Sequence, residues 1–196
     1  MGQPPLQGLV AVARRDTDAA LARARADGHA GNRCHFLAWV AHFADDRRVV
    51  AIAREALATC DQIDNAYHGV SLAAWPLRAL AERGLDDECE RALPRVFERV
   101  RELEKPVNRI DALERVFDGV FPVARARRRV LAELIAACGE ASSWKAPRCL
   151  ANVAAKLAGA PVDCALVLAA LAPGRQRRRA ERELAAGGGR PAVFFV

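Results

Sequence analysis

The sequence predicts an all-α protein, a short right-handed α-solenoid of about five antiparallel helix pairs. Hydrophobic residues make up 52% of the 196 residues and aromatic residues only 6%, and alanine and leucine dominate, so helices are favoured over strands. Apolar residues recur at helical spacing, for example at Val49, Ile52, Ala53, Ala56 and Leu57. Helices of two kinds alternate along the chain, which is typical of stacked helical hairpins.

The individual helices lie between breaks at glycine, proline and aspartate. An N-terminal pair, at about 6–15 and 18–26, begins the stack. The first helices of the next four pairs are predicted at 32–43, 67–80, 108–117 and 145–157. Their second helices are predicted at 46–59, 86–103, 123–138 and 163–171. One hairpin cannot bury its apolar faces alone, so each pair should depend on its neighbours.

The four first helices share a core leucine, and these leucines lie about 35 to 41 residues apart, at Leu37, Leu72, Leu113 and Leu150. The first and third of these helices also begin with Asn-Arg, and Arg33 and Arg109 each lie four residues before the leucine. The recurrence indicates a repeated two-helix unit.

A two-helix unit of this length resembles the HEAT-like repeats of bacterial proteins, over about residues 6–171. Prolines inside two predicted helices, Pro76 and Pro94, suit helices that bend within a stacked array. Tetratricopeptide repeats are the alternative, but their pattern of Trp, Leu-Gly, Tyr, Ala and Phe is absent. The resemblance implies a surface that holds a partner.

The pattern changes after Leu171 and divides the chain into three parts. The repeat domain spans 1–171, a basic capping helix follows at 172–186, and a glycine hinge leads into an apolar tail at 187–196. The tail ends with Val193, Phe194, Phe195 and Val196, which would be costly to expose. We expect these residues to dock in a groove of the same solenoid or of a partner.

The net charge of +6 comes mainly from arginine. One candidate binding cluster lies on a second helix and the other in the capping helix: Arg125, Arg127, Arg128 and Arg129, and Arg175, Arg177, Arg178 and Arg179. Arginine binds phosphates and carboxylates through its planar fork, so nucleic acid is a possible partner. Alternatively, a GC-rich bacterial genome enriches Ala, Arg, Gly and Pro together, and the charge is then only compositional.

The recurring Arg33 and Arg109 leave two interpretations open. Stacked in register, they would form a ladder that meets phosphates or a carboxylate-rich partner. Otherwise they pair with neighbouring acids, such as Asp111 and Glu114, and hold repeats together.

No residue pattern predicts catalysis, a metal or a cofactor. His35 and His42 share one helix face, but they are seven residues apart with Trp39 between them, whereas zinc sites on one helix typically use i, i+4 spacing. Neighbouring residues on a helix point about 100° apart, so Cys34 and His35 cannot form a dyad. The six cysteines include no Cys-x-x-Cys pair, so buried, reduced thiols are expected.

Two functions remain open from the sequence. We favour a non-enzymatic, protein-binding adaptor in which the surface formed by the second helices holds a peptide or folded partner. The alternative is a nucleic-acid-binding protein that uses the arginine clusters. The tryptophans Trp39, Trp75 and Trp144 would contribute if exposed, although the first two have core-like spacing. The absence of a signal-like start or a long apolar run predicts a cytoplasmic protein without membrane contact.

Overall fold

The computed structural model describes residues 5–195 and confirms the all-α class, with no strand in this range. Its first five helices are α1 Pro5–Ala13, α2 Thr17–Arg25, α3 Ala30–Phe43, α4 Val49–Cys60 and α5 Ala66–Glu82. The next six are α6 Asp86–Arg101, α7 Pro106–Val120, α8 Ala124–Glu140, α9 Lys145–Lys156, α10 Pro161–Ala170 and α11 Arg175–Ala185. Each predicted helix corresponds to one of these.

The predicted boundaries differ from the observed ones by up to three residues, at several helix starts and at the end of α7. α7 and α10 begin at Pro106 and Pro161, each two residues earlier than predicted. Proline is favoured in the first turn because its fixed φ suits the helix and its missing N–H would have no partner there. α4 begins at Val49, three residues later than predicted, because Asp45 and Arg48 close a turn before it.

The helices pack in a regular order. Each odd-numbered helix contacts the next odd-numbered helix, from α1 to α11, and the even-numbered helices α2 to α8 pack against both neighbours in the chain, while α10 packs against α9. Among the even-numbered helices, α6 also packs on α8, and α8 on α10. One hydrophobic core therefore runs from α1 to α11 between these helices.

Small residues allow the odd-numbered helices α5 and α7 to approach closely. A Cβ atom added to Gly119 of α7 would lie 2.5 Å from the carbonyl oxygen of Ala74 in α5. The two backbones are therefore in direct contact, and no larger side chain fits between them.

Three of the four repeat leucines are buried, namely Leu37, Leu113 and Leu150, but Leu72 is only half-buried. Leu72 packs against the edge of the core, whereas Leu77 and Leu80 of the same helix are fully buried in it. All six cysteines are buried and unbridged, as expected. Within residues 5–195, no helix has both the length and the apolar character needed to cross a bilayer.

Candidate functional site

The C-terminal tail, residues 187–195, lies across the odd-numbered helices. It leaves α11 through Gly188, whose φ of 79° is in the left-handed region that favours glycine. A Cβ atom there would clash with the side chain of Ala158. The backbone N–H of Gly189 then donates to the carbonyl oxygen of Ala155 in α9, at 2.8 Å. The hinge is therefore fixed on α9.

The tail next crosses α7 beside a buried ion pair. Ala192 lies beside the carboxylate of Asp118, which is only 6% exposed, and both residues line the same cleft. Asp118 in turn accepts from Lys156 Nζ at 2.9 Å. Burial raises the pKa of Asp118 despite the opposing effect of Lys156. Burial alone would lower the pKa of Lys156, but Asp118 and Glu114 outweigh it, so the pKa of Lys156 is raised.

Phe194 inserts its ring between side chains of α5. Its ring centroid lies 5.0 Å from that of Trp75, with a 76° angle between the rings, and Phe194 is only 7% exposed. The guanidinium carbon of Arg78 lies 5.7 Å from the centroid on the Phe194 ring face. Edge-to-face and cation–π contacts of this kind add to the free energy of burying the ring.

Phe195 reaches α3 and contacts two of its aromatic side chains. It stacks on the imidazole of His42 and meets Trp39 edge-on, with centroids 4.2 Å and 5.0 Å away. His42 Nδ1 also lies 3.2 Å from the carboxylate of Glu82. Burial lowers the pKa of His42, and this effect outweighs the attraction of Glu82. The neutral imidazole is therefore the form that stacks with Phe195.

His35 contacts two of the aromatic side chains that hold the tail, Trp39 and Trp75. It accepts a hydrogen bond from Trp39 Nε1 through its own Nε2, at 3.3 Å, and its ring centroid is 4.2 Å from that of Trp75. Burial lowers the pKa of His35. A neutral His35 can accept the Trp39 hydrogen bond, whereas a protonated one cannot.

The residues that hold the tail, here named the tail site, are Trp39, His42, Trp75, Arg78 and Asp118. Of the four predicted docking residues, Phe194 and Phe195 lie in the tail site. Val193 is 71% exposed and is not held by the tail site. Val196 lies outside the described residues.

Two open clefts continue from the tail site along the odd-numbered helices. One, of about 520 Å³, is lined by both the tail and α5–α7 residues, including Tyr67, Ser71, Arg115 and Phe194. The other, of about 630 Å³, shares Tyr67, Ser71 and Arg115 with it and extends to the start of α3. The tail thus occupies only part of a longer groove.

The first arginine cluster is largely engaged in ion pairs. Arg127 Nη2 and Arg128 Nε each lie 2.6 Å from Asp163, which is 1% exposed and belongs to α10. Burial alone would raise the pKa of Asp163, but hydrogen bonds from Arg128 and Arg127 outweigh it and lower the pKa. Arg129 pairs with Glu90 of α6 at 2.9 Å. Three of the four arginines therefore link α8 to neighbouring helices.

The second cluster, in α11, also contains both paired and unpaired arginines. Arg177 pairs with Glu181 and Arg179 with Glu183, at 3.1 and 2.7 Å along α11. Within the described part of the chain, the exposed candidates without an ion pair are Arg125, Arg175 and Arg178. The structure does not gather the eight arginines into one unpaired basic surface.

The recurring arginines have a structural role that the sequence pattern did not specify. Each donates to the backbone carbonyl six residues earlier, Arg33 to Asp27 and Arg109 to Leu103, at 2.9 and 2.6 Å. Arg127 and Arg177 repeat this bond to the carbonyls of Phe121 and Leu171. These arginines fix the turn before their own helix. In each case the arginine lies six residues after a residue near the end of the preceding helix. This spacing is the sequence signal that could have revealed the structural role.

The further partners of these arginines differ from those suggested by the sequence. Arg33 donates to Gln62 at 2.6 Å and Arg109 to Glu140 at 2.8 Å. The acids that seemed to be their partners instead bind lysines of α9, since Asp111 pairs with Lys145 and Glu114 with Lys156.

The described residues include no group of three His, Cys, Asp or Glu side chains placed to hold a metal. Cys34 faces away from His35 and lies with its Sγ 3.0 Å from Cys60 Sγ in the core. Trp144, the third candidate tryptophan, is 66% exposed at the start of α9, far from the aromatic group.

The chain matches no protein-family model, and no curated protein or solved structure is significantly similar to it. The function must therefore be argued from the site itself.

Proposed function

We propose that this protein is a non-enzymatic adaptor whose odd-numbered helices bind an extended peptide segment that carries two neighbouring aromatic side chains. The observation that supports it is the position of the tail, which lies extended across α9, α7, α5 and α3 with Phe194 and Phe195 in the tail site. The tail acts as an internal ligand, which a partner segment displaces.

The chemistry of the tail site favours such a segment. Trp39 and Trp75 offer aromatic faces and edges, while Arg78 covers one ring from above. Asp118 lies beside the backbone of Ala192, where its carboxylate can accept a backbone N–H from any peptide of suitable conformation. Aromatic anchors in a pocket with backbone hydrogen bonding beside them are the usual source of affinity in peptide recognition.

We also propose that the architecture is a short α-solenoid of HEAT-like hairpins. The continuous series of contacts along the odd-numbered helices supports this, as do the ion pairs between successive even-numbered helices. These pairs join Arg25 to Glu55, Arg54 to Glu88 and Arg101 to Glu133, at 2.7, 2.8 and 3.7 Å. The second helices of the pairs were predicted to form the binding surface, whereas the position of the tail favours the first helices.

Binding of nucleic acid is a weaker proposal, since five of the eight candidate arginines are paired with carboxylates. A phosphate would have to displace these partners. The arginines contribute more directly to holding the even-numbered helices together.

The test uses a fluorescent peptide with the sequence of residues 187–196 and the full-length protein. In the variant Phe194→Ser/Phe195→Ser, the tail cannot fill the tail site, so the peptide should bind at least about tenfold more tightly than to the unaltered chain. Fluorescence anisotropy measures both affinities. Adding Trp75→Ala to this variant should abolish most of the gain, because the main aromatic contact is lost.

Val193→Ser is the matched control, because Val193 is exposed and its replacement leaves the tail docked. It should bind the peptide as weakly as the unaltered chain does. Equal binding to all variants, or none to any, would contradict the proposal. Binding of a single-stranded oligonucleotide that falls steeply with salt would instead favour the nucleic-acid alternative.

A further inference from the structure

We propose that a second site, separate from the tail site, binds a small amphipathic carboxylate in a pocket between α4 and α6. The pocket has a volume of about 270 Å³ and lies on the even-numbered helices. It exists because α4 and α6 approach each other less closely than α6 and α8 do. This site goes beyond the proposed adaptor function.

The interior of the pocket is apolar. α4 contributes Leu57 and Ala58, α5 contributes Val70 and Ala73 as the floor, and α6 contributes Ala92 and Val96. Most of these side chains are small, so the two walls leave a space that the protein itself does not fill. An apolar chain or ring placed there would remove this surface from water.

Two ion pairs cross the pocket from α4 to α6. Arg54 lies 2.8 Å from Glu88, and Arg95 lies 3.2 Å from Asp61. The two pairs are seven residues apart on each side, which is about 10 Å along a helix. They hold the walls at a fixed separation and mark the two ends of the apolar space.

A row of arginines follows one edge of the pocket. Arg91, Arg95 and Arg99 are spaced by four residues on one face of α6, and all three line the pocket. With Arg54 there are four arginines against two carboxylates, Asp61 and Glu88. Outside the pocket, Arg95 also pairs with Glu98 and Arg99 with Glu102, so the arginines give this edge a row of hydrogen-bond donors next to an apolar interior.

These arginines retain hydrogen-bond donors that the described protein groups do not use. Arg99 has a side chain only 14% exposed, and it donates through Nη2 to the carbonyl oxygen of Ile63. Its Nε is buried and makes no hydrogen bond, although the carboxylate of Glu102 lies 3.5 Å away. Arg95 uses Nε and Nη1 on Asp61 and Glu98, which leaves Nη2. A buried donor without an acceptor is costly, and a carboxylate would satisfy it.

The ligand chemistry follows from this combination. An apolar body fits between Ala58, Ala73 and Val96, and a single carboxylate meets Arg95 and Arg99. A neutral apolar molecule would leave the arginine donors unused. A cation of the same shape would bring no acceptor to these donors and would lie beside four arginines.

The experiment titrates the full-length protein with decanoate, below the concentration at which it forms micelles, and follows amide chemical shifts and the heat of binding. We expect one molecule to bind and to shift the amides of Gly69, Ala73 and Ala92. Decyltrimethylammonium and decanol should bind more weakly by about tenfold or more, because each lacks the charge-assisted hydrogen bonds.

Three variants test the pocket residues. Arg95→Gln should weaken decanoate binding by about tenfold. Ala58→Trp should abolish it by filling the pocket, and Ala58 is exposed, so the fold is retained. Arg101→Gln is the matched control on the same helix, because Arg101 is exposed and lies outside the pocket. Thermal melts confirm that each variant is folded.

Binding of decanoate that is unaffected by both Arg95→Gln and Ala58→Trp would overturn the proposal, as would equal binding of decyltrimethylammonium or no binding at millimolar concentration. Phe194→Ser/Phe195→Ser alters only the tail site, so it should leave decanoate affinity unchanged. A loss of decanoate binding in that variant would place the ligand in the tail site and also overturn the proposal.

Discussion

The ring of Phe195 lies almost parallel to the imidazole of His42, with 4.2 Å between their centroids and 13° between their planes. The contact joins the C-terminal end of the described chain to α3. It also places a titratable group directly beneath the tail. The charged groups around His42 are Glu82, Arg14, Arg78 and Arg83.

The tail should be released as the pH falls. Burial lowers the pKa of His42 and of His35 in the docked state, so the undocked state, in which these rings are more exposed, takes up protons more readily. The stability of docking is therefore fully present above about pH 6.5, the ordinary histidine value, and declines as the pH falls below it. Hydrogen exchange of the backbone amides at 192–195 should become faster at about pH 5.5 than at pH 7.5 after correction for intrinsic rates.

The control for this prediction is His42→Gln, which removes one titrating ring and leaves His35. Its exchange rates should depend less steeply on pH. Equal protection of the tail in the unaltered protein at both pH values would show that neither histidine is linked to docking.

Replacing Gly119 with alanine should destabilise the protein by about 1–3 kcal/mol. The added methyl group would overlap the backbone of Ala74 and push α7 away from α5. Gly139→Ala is the matched control within α8, because nothing lies within 4 Å of its Cβ position. That change should stabilise the protein by about 0.4–1 kcal/mol, since alanine loses less backbone entropy on folding than glycine does. Urea unfolding followed by circular dichroism measures both effects, and equal values would refute the close contact.

Asp163→Ala should lower the free energy of unfolding by roughly 3 kcal/mol. The change leaves Arg127, whose side chain is 11% exposed, without its buried carboxylate. Asp18→Ala is the comparison, because Asp18 also pairs with an arginine, Arg48, but is 84% exposed. An exposed pair contributes about 0–1 kcal/mol. Similar losses in the two variants would mean that burial does not distinguish these ion pairs.

The pH dependence of stability provides a second measurement on Asp163. Its arginine partners hold its pKa below the ordinary value, so its contribution is present above about pH 3.9 and is lost as the pH falls through its lower folded pKa. The unfolding free energy of Asp163→Ala should therefore fall less between pH 5 and pH 2 than that of the unaltered protein, roughly by the amount the ion pair contributes.

The cysteines should react with a thiol reagent only after unfolding. All six are buried, and burial raises the pKa of Cys89 to about 12, so little thiolate forms at neutral pH. Titration with Ellman's reagent should find almost no reactive thiol in the native protein and six in guanidinium. Fast reaction of even one thiol under native conditions would contradict the burial of that cysteine.

The helical class and the order of the helices were predictable because they depend on local periodicity. Local features of the sequence favour or begin each helix, for example the apolar spacing in 49–57 and the prolines at 106 and 161. Leu72 shows the limit of this argument, since periodicity alone does not tell which of two adjacent rows of α5 faces the core. Packing against α3 and α7 decides that.

The tail site was only partly predictable for the same reason. An apolar tail after a glycine hinge indicates docking, and Phe194 and Phe195 are its anchors, but nothing in the sequence indicates that Trp39, Trp75 and His42 receive them. These residues are distant in the chain and meet only after the helices between them have stacked. The partners of Arg127 and Arg128 were not predictable either, because Asp163 belongs to a different helix pair.

The position of the tail along the sequence also determines when the tail site can be filled during synthesis. Helices α3 and α5 leave the ribosome long before Phe194 and Phe195 do, and contacts between neighbouring hairpins form locally and early. The part of the groove on α3 and α5 can therefore form on the nascent chain before Phe194 and Phe195 are made. If the protein is the proposed adaptor, a partner segment meets no competing tail at this part of the groove during that interval.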